Sequence, residues 1–197
     1  MTVARSNCAG GGFSNGVRGV IAGGYGKSPA YPLAENIDAI TIASGGNAID
    51  FGTLLFTTRD YNGAQNLVRG LIAGGYTFPS PATTYYNTIE YITIASTGNA
   101  TSFGTSANNN NGGSGVNNST RGVFGIAGVN TMEYITIASL GNVTDFGNLT
   151  ASQNSAMGTS NNLRGIFCGG YITPAAVSYT HLRAHETKAN LVCRLKL

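Results

Sequence analysis

Ile40-Thr41-Ile42-Ala43-Ser44, Ile92-Thr93-Ile94-Ala95-Ser96 and Ile135-Thr136-Ile137-Ala138-Ser139 are one stretch written three times. Each is followed by a Gly-Asn pair (46–47, 98–99, 141–142) and then by Phe-Gly (51–52, 103–104, 146–147). Each is preceded by Arg-Gly and two apolar residues, at 18–21, 69–72 and 121–124, and the same step recurs at 164–167. From the first Ile to the Phe is 11 positions in all three repeats, and from the Phe to the next Arg is 18. From Arg to the Ile-Thr-Ile start is 22, 23 and 14, so all length variation falls in one loop. Units of 43 to 52 residues with a fixed frame and one variable loop describe an array of identical supersecondary elements.

Within a unit the pattern predicts four short strands. The first is glycine-rich, near 64–68 in one repeat. The second is Arg18–Ala22 and its equivalents 69–73, 121–125 and 164–168, ending in Gly23-Gly24-Tyr25, Gly74-Gly75-Tyr76 and Gly169-Gly170-Tyr171. The third is 37–43, 89–95 and 132–138, rich in the β-branched residues that strands favour. The fourth runs to Phe51, Phe103 and Phe146 from the preceding Asn, across a tight turn in which Gly and Asn both permit positive φ. In the third strand Ile40 and Ile42 take one face and Ile37 and Ala39 the other. Two apolar faces mean a sheet covered on both sides.

Composition supports an ordered all-β chain. Glycine is present 29 times and charged residues make up only 10% of the 197, against about 25% on average. The net charge of +3 lies wholly in the last 20 residues. Up to position 177, Arg5, Arg18, Lys27, Arg59, Arg69, Arg121 and Arg164 are matched by Glu35, Asp38, Asp50, Asp60, Glu90, Glu133 and Asp145. A neutral body carries no footprint for nucleic acid. No apolar run reaches the length of a membrane span. Met1-Thr2-Val3-Ala4-Arg5 lacks the apolar core of a signal peptide. Cys8, Cys168 and Cys193 form no disulfide framework.

The unit resembles a Kelch-type β-propeller blade. Val20-Ile21-Ala22-Gly23-Gly24-Tyr25 resembles its apolar strand closed by Gly-Gly, Ile89-Glu90-Tyr91-Ile92 its acid-bearing strand, and Leu54 to Arg59 the step near the end of its repeat. Phe51, Phe103 and Phe146 stand where that family usually carries Trp, and the third repeat reads Gly125-Ile126-Ala127-Gly128 in place of the doublet. The wording of the repeat is similar to Kelch-like repeats in marine-phage and environmental open reading frames, some of them virion or tail-associated. Closed propellers need about four to eight blades. The resemblance therefore implies an incomplete, open propeller of about three four-stranded blades in residues 1–177. Residues 178–197 share nothing with the repeat. They resemble translated sequencing-adapter read-through and are expected to be a non-native tail, disordered or a short helix.

Candidate sites were weighed on the same residues. Cys168, His181 and His185 have zinc-finger spacing but lack a first cysteine, so no metal is expected. No His lies in the repeats, which removes Ser-His-Asp and Cys-His chemistry there. Asp50 and Asp145 share a repeat position with Ser102, which leaves a carboxylate-pair glycosidase without support. No cofactor is expected. Arg18, Arg69, Arg121 and Arg164 are either a guanidinium ring around a channel or structural groups that bond carbonyls or pair with Asp38, Glu90 and Glu133 between blades. Tyr25, Tyr76 and Tyr171 are assigned to packing between blades. Phe51, Phe103 and Phe146 are structural. The variable loop is the candidate binding segment, with Tyr31, Phe78, Tyr85 and Tyr86 facing protein or glycan. The expected function is a non-catalytic binding or structural module, of a phage virion or tail. The alternatives are a cellular Kelch-type protein interaction module and, more distantly, a glycan-active enzyme. The expected location is the virion in the first case and the cytoplasm otherwise.

Overall fold

A computed structural model of the chain describes residues 2, 4–8, 12–26, 34–77 and 83–171. The described residues are all-β, with no helix among them. β1 (Gly12–Ser14), β2 (Arg18–Ala22), β3 (Asn36–Thr41) and β4 (Ile49–Thr53) form one antiparallel sheet in sequential order. β5 (Asn62–Gln65), β6 (Arg69–Ala73), β7 (Thr88–Thr93) and β8 (Thr101–Thr105) form a second. β9 (Ser114–Asn117), β10 (Arg121–Gly125), β11 (Thr131–Thr136) and β12 (Thr144–Asn148) form a third. β13 (Met157–Ser160) and β14 (Gly165–Cys168) form a two-stranded sheet after it. The assigned tail, 178–197, lies outside the described residues.

The fourth strands begin and end two residues later than the sequence reading, and three further differences have a visible reason. The first strand of the second sheet is 62–65 and not 64–68, because Asn66 makes a turn there. Its Oδ1 accepts the N–H groups of Val68 and Arg69 at 2.9 and 2.8 Å, and Asn15, Asn118 and Asn161 repeat this in the other sheets. The third strands stop at Thr41, Thr93 and Thr136, because Ile42, Ile94 and Ile137 donate instead to the carbonyls of Val17, Val68 and Thr120. The Gly-Asn segments are not tight hairpins. Gly46, Gly98 and Gly141 do take positive φ, but the Asn residues do not. Asn99 Oδ1 accepts Thr53 N–H at 3.1 Å and Asn142 Oδ1 accepts Thr105 N–H at 3.0 Å. Each turn thus docks on the last strand of the preceding sheet, which explains a fixed Asn better than turn geometry does.

The sheets stack face to face. Phe13, Val20, Ala39 and Phe51 of the first sheet cluster with Ile72, Ile92, Ile94 and Ala100 of the second. Ala64, Leu71, Ala73, Ile89 and Phe103 of the second cluster with Phe124, Ile126, Ile135 and Ile137 of the third. Each sheet therefore has a forward face toward the next sheet and a backward face toward the previous one. The glycine of Arg-Gly is the socket of this packing. A Cβ on Gly70 would stand 2.6 Å from the Phe13 ring, one on Gly122 2.7 Å from Ala64 Cβ, and one on Gly165 2.5 Å from Val116 Cγ2. In every case the intruding side chain comes from the first strand of the preceding sheet.

Gly19 holds the same position in the first sheet and meets only its own sheet, with Ile40 Cγ1 at 3.3 Å. The difference is testable. Gly70→Ala is expected to cost about 2 kcal/mol by overpacking against the buried Phe13 ring. Gly19→Ala is expected to stay within about 0.5 kcal/mol of wild type, since relief of unfolded-chain freedom offsets a small shift of Ile40. Urea denaturation of both variants measures this, and equal losses would refute the interdigitation.

Candidate binding face

The four Arg-Gly arginines lie on the repeated outer seams. Arg18 Nη1 donates to the Ile94 carbonyl at 3.2 Å and its guanidinium lies 5.8 Å from the Phe51 ring centroid. Arg69 Nη1 donates to the carbonyls of Ile137 and Ala138 at 3.0 and 2.9 Å and stacks on Tyr91 at 4.7 Å. Arg121 stacks on Tyr134 at 4.9 Å, and Arg164 is exposed. Each of the first two ties its own sheet to the turn of the next. Of the structural roles read for these arginines, Arg18 and Arg69 bond carbonyls as expected, while pairing with the three strand acids does not occur among the described residues. The acids have other partners.

A bulge at Ile37/Asp38, Ile89/Glu90 and Met132/Glu133 turns each acid inward, where all three are buried. There each holds the connector that enters its own sheet. Arg5 Nη2 donates to Asp38 Oδ2 at 2.6 Å, Leu55 N–H to Glu90 Oε2 at 2.7 Å, and Asn108 Nδ2 to Glu133 Oε1 at 3.0 Å. Burial pushes the Glu90 carboxyl up to about 7, against the opposing pull of the Leu55 and Phe56 backbone N–H groups. Asp50 and Asp145 are exposed on β4 and β12, directly across the ladder from Asp38 and Glu133, where the second sheet has Ser102 opposite Glu90.

The first strands of the sheets share one cavity of about 740 Å³. It is lined by glycines and small polar residues, including Gly12, Gly63, Gly115 and Gly158. Their side-chain absence lets the strands approach: a Cβ on Gly115 would collide with the Gly63 carbonyl. A ladder of side-chain bonds closes the strand ends around it. Ser14 N–H donates to Gln65 Oε1 at 2.6 Å, Gln65 N–H to Asn117 Oδ1 at 3.1 Å, and Asn117 N–H to Ser160 Oγ at 3.0 Å.

At one end of the sheets, aromatic side chains from the first two repeats gather around Arg59. The chain after β2 and after β6 passes Gly-Gly and forms the two-residue strands Tyr25–Gly26 and Tyr76–Thr77. Gly75 has φ 92°, and a Cβ there would stand 2.8 Å from the Arg59 carbonyl, so only glycine lets Tyr76 pair with Arg59. Arg59 and Tyr76 then exchange backbone bonds at 3.2 and 3.1 Å. This places the Arg59 guanidinium 4.6 Å from the centroids of both Tyr25 and Tyr76. Tyr85, on the strand Thr84–Tyr85 that pairs with Tyr76–Thr77, puts its ring 5.6 Å from Tyr76. Tyr85 is 47% exposed and forms the open end of this stack. Tyr86 turns the other way and packs on Phe56 at 5.0 Å. Asp60, 3.8 Å from Arg59 Nε, is a lining residue of the cavity. Burial, then the Asp60 carboxylate, raise the Tyr76 hydroxyl above its ordinary range, which keeps it a neutral hydrogen-bonding group.

Of the four sequence candidates, Tyr85 and Tyr86 are thus placed, and only Tyr85 presents a ring outward. Tyr31 and Phe78 lie outside the described residues. Tyr171 is described, and its backbone pairs with Asn154. Arg59 was missed as a site residue. Its signal was in the alignment of the repeats: the same position, ten before the Arg of Arg-Gly, is Cys8, Asn111 and Asn154 elsewhere. No grouping of His, Cys, Asp and Glu suited to a metal ion occurs among the described residues. No described helix is long and apolar enough to cross a membrane.

No protein-family model matches the chain, and no curated protein matches it. Among solved structures, that of YjhT, a β-propeller-like protein, is similar with a TM-score of 0.67 at 8% identity. The likeness covers 81% of this chain and 57% of the YjhT chain, so the present chain spans little more than half of that protein's length. At that identity it speaks for the fold alone, and the chain has a β-propeller-like fold.

Proposed function

We propose that the chain is a non-catalytic glycan-binding module, built as an open arc of about three Kelch-like blades, of the kind that serves adhesion in a phage virion or tail. One observation carries the reading: the Tyr25–Arg59–Tyr76–Tyr85 stack ends in a half-exposed Tyr ring. An aromatic face takes the C–H face of a sugar ring, while neighbouring hydroxyl and guanidinium groups take its hydroxyls. The stack is held from below by backbone pairing, so the ring is ordered before a ligand arrives, which lowers the entropic cost of binding. Tyr25–Gly26, Tyr76–Thr77 and Thr84–Tyr85 are the described ends of the length-variable segments of the first two repeats, where a fixed scaffold can change its specificity without changing its core.

A glycan array probed with the purified chain tests this. Binding to at least one neutral oligosaccharide is expected, with Tyr85→Ala weakening it about tenfold, in line with about 1.4 kcal/mol for the lost ring. The variant should melt with wild type, because Tyr85 is half exposed. An array without a binder, or a binder indifferent to Tyr85, would sink the proposal.

A further inference from the structure

The backward face of the first sheet carries the same residues as the backward faces of the second and third, and no sheet among the described residues packs on it. Ile92 and Ile94, and likewise Ile135 and Ile137, are at most 3% exposed under the preceding sheet. Their equivalents Ile40 and Ile42 are 43% and 51% exposed. Gly19, the socket between them, receives no side chain from another sheet, whereas Gly70, Gly122 and Gly165 each receive one. At the other end, the forward face of the β13–β14 sheet is also open. Ile166 is 48% exposed, while its equivalents Val20, Leu71 and Val123 are buried. Thr159 holds the position from which Phe13, Ala64 and Val116 enter the glycine sockets, and it is exposed. Among the described residues the hydrogen-bond ladder around the cavity runs from Ser14 through Gln65 and Asn117 to Ser160.

We propose that these two faces bind each other between copies of this chain, head to tail, so that the β13–β14 sheet of one copy packs on the first sheet of the next. The occupant is a second copy because the contact continues an interface that the chain already makes three times internally. Thr159 of one copy would enter the Gly19 socket of the next, Ile166 would cover Ile40 and Ile42, and Ser160 would extend the ladder to Ser14. Both faces belong to a body without net charge, so no repulsion opposes the contact. The association is heterologous, because the two faces differ, and each dimer keeps one open face of each kind. Further copies then add until the ring closes. The inference is independent of the ligand of the Tyr85 stack, and Tyr85→Ala should leave it unchanged.

Sedimentation velocity of the full chain over a wide concentration range tests this with two variants. Wild type is expected to rise above the monomer mass of 20.2 kDa as concentration increases. Ile40→Glu spoils the backward face alone and Ile166→Glu the forward face alone, so each variant by itself should remain monomeric. Their equimolar mixture retains one intact pair of faces and should give a dimer that grows no further. That mixture also shows both variants to be folded. Wild type that stays monomeric at every concentration overturns the proposal. So does an Ile166→Glu chain that still dimerises by itself, which would mean two first sheets meeting symmetrically, and so does a mixture that stays monomeric.

Discussion

Phe103→Ala is expected to cost about 3–5 kcal/mol, enough to leave much of the chain unfolded at ambient temperature. Phe146→Ala, the same substitution at the same repeat position, is expected to cost less than about 1 kcal/mol. The repeat sequence around the two residues is nearly the same, so any difference arises from what lies beyond the sheet. Phe103 is 3% exposed and packs edge-on against Tyr91, with ring centroids 5.8 Å apart. Phe124, Ile126, Ile135 and Ile137 of the third sheet share its cluster. Truncation there leaves a cavity between two sheets that are held at fixed spacing by the Asn142 and Arg69 bonds, so the site cannot collapse. It also frees Tyr91, on which the Arg69 guanidinium rests. Phe146 keeps the corresponding edge contact with Tyr134, at 6.0 Å, but is 48% exposed, and the two-stranded sheet beyond it covers it only in part. Chemical denaturation of the two variants decides the matter. Similar losses would mean that the Phe acts within its own sheet and that stacking contributes little.

That contrast also marks how far the sequence could be read. Repeat spacing gave the strand number of each sheet, because the frame from Ile-Thr-Ile to Phe to Arg never varies and β-branched runs leave few alternatives. Two apolar faces on the third strand gave the stacking. The roles of single repeated residues were less legible. An Arg recurring beside an acid in each repeat invites pairing, yet a β-bulge before each acid sends the carboxylate inward to the connector, while the Arg reaches across to the next sheet's carbonyls. A bulge adds no composition signal, so the sequence pattern cannot show it. The Gly of Arg-Gly served only as a repeat anchor in the sequence and is a socket, visible only once the neighbouring sheet is in place. At the candidate binding face, Tyr85 comes from the variable loop and presents its ring outward. Arg59, which orders the stack, comes from a connector that the search for loop-length variation passed over.

Glu90 gives the chain a pH dependence whose sign follows from its surroundings. Its carboxyl is buried, receives backbone N–H groups from Leu55 and Phe56, and pairs with no cation among the described residues. Asp38 in the first sheet has Arg5 in the corresponding connector position, where the second connector has Phe56. Without a cation, burial dominates, and the folded-state value rises from 4.5 to about 7. Below the lower value both folded and unfolded chains hold the proton, and Glu90 adds no penalty. Between the two values the unfolded chain releases the proton while the folded chain keeps it, so stability falls as pH rises. Above about 7 both are ionised and the loss levels off, on the order of 3 kcal/mol below the acid plateau for this group. Glu90→Gln keeps a side-chain oxygen for Leu55 N–H and removes the charge. The variant should therefore match wild type near pH 4 and exceed it by about 2–3 kcal/mol near pH 8. Urea melts of both proteins across that range isolate the group, because every other titration is common to the pair. A constant difference between them at all pH values would assign the effect to packing, and a wild type gaining on the variant with rising pH would show that the carboxylate is stabilised where it lies. The Leu55 and Phe56 N–H bonds favour the charged carboxylate, so the gain on acidification comes from relieving the burial of charge and not from a tighter hold on the connector.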